Sequence, residues 1–174
     1  GYGGITFETN GTNERLRILS DGRIGINATT VFDTNTMLQV TGKTDAGPNL
    51  VLHRNDTSVS QNQVLAALRV TGNDSDGTQQ ESSSIEFVAD ADHGTGDKPG
   101  RLVFKTTNDG ASSSTEKVRI DSSGNLLIST DNAHLRTGAG GDLQLYHDGS
   151  ASVIKNITGD LYVQSIGDVK LRTV

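Results

Sequence analysis

Glu14-Arg-Leu-Arg-Ile-Leu-Ser-Asp-Gly-Arg-Ile-Gly-Ile26 returns, without a gap, as Glu116-Lys-Val-Arg-Ile-Asp-Ser-Ser-Gly-Asn-Leu-Leu-Ile128. Six of the thirteen positions are identical, and the apolar positions stay in phase. Leu16 and Ile18, or Val118 and Ile120, stand two apart, and after a glycine-bearing turn come Ile24 and Ile26, or Leu126 and Ile128. A spacing of two is the period of a strand with one buried face. Asp21-Gly22 is a strong reversal signal, because glycine accepts positive φ. Each copy is therefore expected to be a strand, a turn and a returning strand, with those apolar residues as a buried stripe. The interleaved Arg15, Arg17, Lys117 and Arg119 are expected to face water and to discourage wrong edge pairing. An apolar prefix precedes each copy, Ile5-Thr-Phe7 and Leu102-Val-Phe104, across loops that differ by five residues. A repeated β unit with variable loops points to an architectural chain rather than one built around a single active site.

Working outward, Met37–Gly42, Asn49–His53, Gln63–Val70 and Ile85–Ala89 read as further strands, with Asp45–Pro48 as a turn. Gln63–Val70 carries two alanines and could form a short helix, but its closure by Val70-Thr-Gly72 favours a strand. Residues 73–84, 90–100 and 108–115 read as polar connections. Beyond Ile128 the chain is punctuated by Gly141-Asp-Leu-Gln-Leu145, Gly159-Asp-Leu-Tyr-Val163 and Gly167-Asp-Val-Lys-Leu171, each a turn residue followed by two apolar residues one strand period apart. The expected organisation is the end of a first β module at 1–30, a second at 31–133, and a Gly-Asp punctuated segment at 134–174. The fold class is all-β, with short antiparallel strands and turns.

Composition agrees. Leu, Ile, Val and Phe number 42 of 174 residues, enough to fold, yet there is no Trp, with only four Phe and three Tyr. A thin, turn-rich protomer of this kind buries part of its apolar surface alone and is expected to complete the burial against other chains. The net charge of −6, with both signs interspersed, argues against a nucleic-acid partner. The absence of Cys excludes disulfides, thiolate zinc sites and a thiol nucleophile. No apolar run approaches the roughly 20 residues of a membrane-spanning helix. Starting at Gly1 and stopping at Val174 in strand-like sequence, the chain reads as a piece of something longer.

Glu14–Ile18, Ser20–Ile26 and Gly72–Thr78 resemble phrases from the repetitive shafts of tailed-bacteriophage tail fibres and tailspikes, marine cyanophages in particular. So do Ala89–Asp97, Pro99–Thr107 and Leu143–Ser150. Such regions often lie upstream of an intramolecular chaperone domain. The resemblance implies an elongated, intertwined homotrimer in a virion tail or other external appendage, in contact with other tail or baseplate proteins. It implies a spacer in host attachment, with no cofactor, no nucleic acid and no membrane insertion.

Several residues invite chemistry. Asp74 and Asp76, and Asp90, Asp92 and Asp97, alternate near glycine as calcium ligands do, but such acids also serve ordinary turns, and neither group has the twelve-residue loop of an EF-hand. His53, His93, His134 and His147 form no local metal-binding pair; a threefold axis could gather His134 or His147 from three chains. Ser residues with His93 and Asp permit a triad only by geometry, and no Gly-x-Ser-x-Gly elbow occurs. Tyr2, Tyr146 and Tyr162 are the tyrosines able to stack on a sugar, with Tyr146 expected at an exposed tip. No residue is assigned a catalytic, cofactor-binding or metal-binding role. The competing readings are a carbohydrate-binding adhesin, with loops around His93 or Tyr146 contacting host glycan, and a polysaccharide-degrading tailspike, whose paired carboxylates the sequence leaves open.

Overall fold

A computed structural model describes residues 3–11, 13–28, 30–31, 33–42 and 47–170. Tyr2, Leu171 and the first two residues of the expected Asp45–Pro48 turn, Asp45 and Ala46, lie outside them. The described residues contain twelve strands and no helix. The chain divides into two units, Gly1–Leu52 and His53–Val174.

In the first unit β1 (Ile5–Thr9), β2 (Asn13–Ile18), β3 (Ile24–Ile26) and β4 (Leu38–Val40) form one sheet in that order. The expected reversal is present: Leu16 faces Ile26 and Ile18 faces Ile24 across an antiparallel pair. Gly22 at φ 87° makes the turn, and the Leu19 N–H donates to Arg23 O at 2.8 Å to close it. One pairing departs from the antiparallel expectation, because β4 runs parallel to β3, with Ile24 facing Leu38 and Ile26 facing Val40. A parallel return needs a crossover. Residues 27–37 supply it, tied down by Arg23, which donates to Asp33 O at 2.6 Å. Asp33 Oδ1 in turn accepts from the N–H groups of Asn35 and Thr36. The crossover lies over Gly25, where a Cβ would stand 3.1 Å from Ala28 O and 3.5 Å from Val31 Cγ2.

In the second unit β5 (Val64–Asn73), β6 (Gln79–Ala89), β7 (Gly100–Thr107), β8 (Ser114–Ile120) and β9 (Leu126–Leu127) form a five-stranded antiparallel meander. A three-stranded sheet follows, of β10 (His134–Thr137), β11 (Leu143–His147) and β12 (Ser152–Asn156). The strand reading of 63–70 holds. The polar connection expected over 73–84 shrinks to a turn at 74–78, and the Ser-rich stretch beyond it belongs to β6. A strand needs a ladder partner more than it needs apolar residues. For the same reason, among the described residues, no strand forms at Asn49–His53, in the Gly159 unit or over residues 167–170: Leu50, Val51, Leu161 and Val163 are exposed and no described strand pairs with them. The division falls after Leu52, the β3–β4 pairing lies within the first unit, and the three-stranded sheet of the second unit begins at His134.

The two copies of the quoted line pair alike. Ile5 faces Ile18 and Phe7 faces Leu16, just as Leu102 faces Ile120 and Phe104 faces Val118. A bulge follows Phe7 in one and Phe104 in the other, leaving Arg15 and Lys117 as the extra residues. Gly124 at φ 85° turns the second copy as Gly22 turns the first.

Candidate functional surface

The sheets sort their faces in an unexpected way. Residues directly opposite each other in a ladder share a face. In the first unit this collects Ile5, Ile18, Ile24 and Leu38 in one row, and Phe7, Leu16, Ile26 and Val40 in the next. In the five-stranded sheet the rows are Leu68, Ile85, Phe104 and Val118, then Ala66, Phe87, Leu102, Ile120 and Leu126. The three-stranded sheet repeats it with Leu135, Leu145 and Ile154. Of the stripe expected to be buried, Leu16, Ile18, Ile24 and Val118 are half-buried, whereas Ile26, Ile120, Leu126 and Ile128 are exposed, Leu126 at 64%; Leu68 and Ile154 in the same rows are exposed too. Among the described residues the buried apolar side chains are Ala28, Val59, Val88, Ala89 and Val103, and no large side chain is fully buried.

The opposite face of the five-stranded sheet is charged and better covered. Glu86 is 7% exposed, taking Arg69 at 3.1 Å and Lys105 at 3.4 Å. Arg69 also reaches Glu81 at 2.7 Å. Hydroxyl donation from Ser114 and Ser84, with Arg69 beside it, holds the Glu81 carboxyl down at about 2. At the end of the same face Asp90 accepts from the N–H and hydroxyl of Ser122 at 2.9 and 2.7 Å and from Arg101 at 3.1 Å. Those Ser122 donors first, and then Arg101, hold it at about 2. Arg101 continues to Asn62 at 2.8 Å, so Asp90 fastens the 59–63 segment, β7 and the β8–β9 turn together.

The repeated cations do not guard an edge as expected. β2 and β8 are interior strands, and Arg17 and Arg119 lie on the covered faces, pairing with Glu14 at 2.5 Å and Glu116 at 3.5 Å. Arg15 and Lys117, at the bulges, are held by Thr9 at 2.7 Å and by Asn108 and Thr115, each at 2.7 Å.

The carboxylate groups serve turns. Asp74 accepts from the N–H groups of Asp76 and Thr78 and from the Gln80 amide, in a turn closed at Gly77 with φ 86°. Asp76 accepts from Thr78 at 2.8 Å, and its carboxyl is held at about 2 by Asp74 first and then Thr78. Asp92 accepts from Gln61 N–H at 2.7 Å, whereas Asp97 closes a small bridge with Gly94. The structure thus separates the three acids of the second group. Among the described residues no set of three His, Asp or Glu side chains is placed to hold a metal ion.

The histidines are likewise dispersed. His53 is exposed. His93 lies 3.3 Å from Pro99 O, in a depression of about 360 Å³ that Asp56 and Lys98 also line. His134 stacks on Tyr146 at 4.1 Å, directly across the β10–β11 ladder. Tyr146 is therefore half-buried inside a strand, and the exposed tip is Asp148-Gly149 instead. Tyr162 is 77% exposed. Ser152 Oγ sits 3.4 Å from His147 Nδ1, an arrangement that sequence reasoning missed because the hairpin register brings the two together. The neighbouring Asp148 carboxylate is taken up by the N–H groups of Ser150 and Ala151, so that acid does not orient the imidazole as a triad needs.

No protein-family model matches the chain, and no curated protein sequence matches it. Among solved structures, the carboxy-terminal domain of the bacteriophage T5 L-shaped tail fibre is similar at 12% identity and a TM-score of 0.42, over 93% of this chain and 72% of that one. The same domain with its intra-molecular chaperone domain is similar at 12% identity and a TM-score of 0.38, over 97% of this chain and about half, 54%, of that one. At this identity, and with TM-scores below 0.5, neither likeness carries a function to this chain.

Proposed function

We propose that the chain is a noncatalytic structural segment of a phage tail fibre or related virion appendage, a repeated and trimeric spacer in host attachment. The observation that carries this reading is the twice-written line, which keeps one register, one bulge position and one glycine turn in both copies. Duplication of a whole structural part, turn included, serves extension; a catalytic site needs a unique constellation. The sequence phrases shared with tail-fibre shafts support the same reading, and so do apolar rows left bare in the single chain. In the glycan-binding alternative, built on loops around His93 or Tyr146, Tyr146 already stacks on His134, which favours the spacer reading. A reconstruction of the particle that places this chain in an external appendage is the expected result. Density elsewhere, or release of reducing sugar from host capsule or lipopolysaccharide by the purified chain, contradicts the proposal.

A further inference from the structure

We infer that the open edge of β1 is a docking site for one more antiparallel strand, of the chemistry of β6: apolar residues alternating with polar ones, an aspartate at its end, and a cation beside Glu8. The inference goes beyond the spacer reading and concerns the single chain, however many copies assemble.

The duplication shows what belongs on that edge. β1 matches β7, with Ile5 at the place of Leu102, Phe7 at that of Phe104 and Glu8 at that of Lys105. β7 lies between β6 and β8, whereas β1 ends its sheet with only β2 beside it. On the far side of β7, Phe87 faces Leu102 and Ile85 faces Phe104. On the far side of β1 there is no strand among the described residues, and all five of its residues are exposed, Ile5 at 58% and Phe7 at 56%. The backbone N–H and C=O groups on that side lack a ladder partner, which is the template that strand addition uses.

The turns make the same point. Those at 19–23 and 121–125 are closed by the same hydrogen bonds: Leu19 and Asp121 N–H donate to Arg23 O and Asn125 O, while Gly22 and Gly124 N–H donate to Leu19 O and Asp121 O. Ser122 then gives its N–H and its hydroxyl to Asp90, the residue that follows β6. Ser20 stands at the same place in the first copy and has no hydrogen-bond partner among the described residues. An aspartate ending the added strand supplies that partner. Charge distinguishes the occupant from β6 itself. Lys105 takes Glu86 at 3.4 Å, but Glu8 stands in the place of Lys105 without an ion-pair partner among the described residues. An acid at the Glu86 position would repel Glu8, and a cation there would pair with it.

The test places a further copy of residues 79–99 directly ahead of Gly3, the match of Gly100, with Glu86→Lys in the added copy, and follows backbone hydrogen exchange of Ile5–Thr9 by NMR. The expected result is exchange slowed roughly tenfold or more at the β1 amides that do not bond to β2. Slowing is expected to be smaller when the added copy keeps Glu86, and smaller again with Ser20→Ala. Unchanged exchange overturns the docking site. Equal slowing by an added copy carrying Ile85→Lys and Phe87→Lys overturns the assigned chemistry of the strand. Should the extended chain fail to fold, the unextended chain is titrated with a free peptide of residues 79–90 bearing Glu86→Lys. Resonance shifts confined to Ile5–Thr9 and Ser20 support the site, and no shift up to about 1 mM peptide overturns it.

Discussion

Gly22 and Gly124 show how much one residue type settles here. Both sit near φ +85°, and a Cβ at either would meet open space, so the cost of replacing them is conformational alone. Gly22→Ala and Gly124→Ala are each expected to lower stability by about 1–2 kcal/mol, read by urea unfolding. These glycines were legible because Asp-Gly and Ser-Gly between alternating apolar residues signal a reversal by local chemistry. Tyr146 was not, because its partner His134 lies twelve residues away and only the ladder register joins them. Asp90 and Glu81 make an acid prediction. Both carboxyls lie at about 2, below their ordinary values of 3.8 and 4.5, so the folded state binds fewer protons than the unfolded chain at acid pH. Their contribution is present above about pH 4 and is lost as pH falls towards 2. Acid unfolding followed by circular dichroism should lose part of this step in Asp90→Asn, whereas an unchanged acid profile contradicts the assignment.

At the scale of elements, periodicity revealed which residues share a face but not what covers it. Alternation placed Leu16 with Ile18, and Val118 with Ile120, on one side of a strand, and the ladders agree. The covered side turned out to be the other one, under the 27–37 crossover in the first unit and under ion-paired side chains in the five-stranded sheet. The parallel return of β4 was illegible for a related reason: nothing in Met37–Gly42 records the direction of its neighbour. Position 25 exposes the difference between the copies. The first has Gly25 beneath Ala28 and Val31, while the second has Leu127 at the matching place. Gly25→Leu should overpack the crossover and destabilise the first unit by about 1–3 kcal/mol, measured by thermal unfolding. A neutral result would mean that the crossover does not pack there.

For the molecule, the two units share one arrangement of chemistry. Apolar rows lie largely open, polar faces carry ion pairs within the chain, and the described residues enclose no large side chain. The amount of apolar sequence was readable from composition. Its placement on open faces was not, because a single chain's sequence does not say which contacts belong to neighbours. Asn49–His53 and residues 159–170 express the same limit, with strand-like apolar residues and, among the described residues, no strand paired with them. The most direct measurement of the central claim is equilibrium sedimentation of the wild-type chain over a wide dilution range. The account predicts a folded species of three times the 18.3 kDa chain mass that persists on dilution. A folded, stable particle of a single chain mass at every concentration would contradict it.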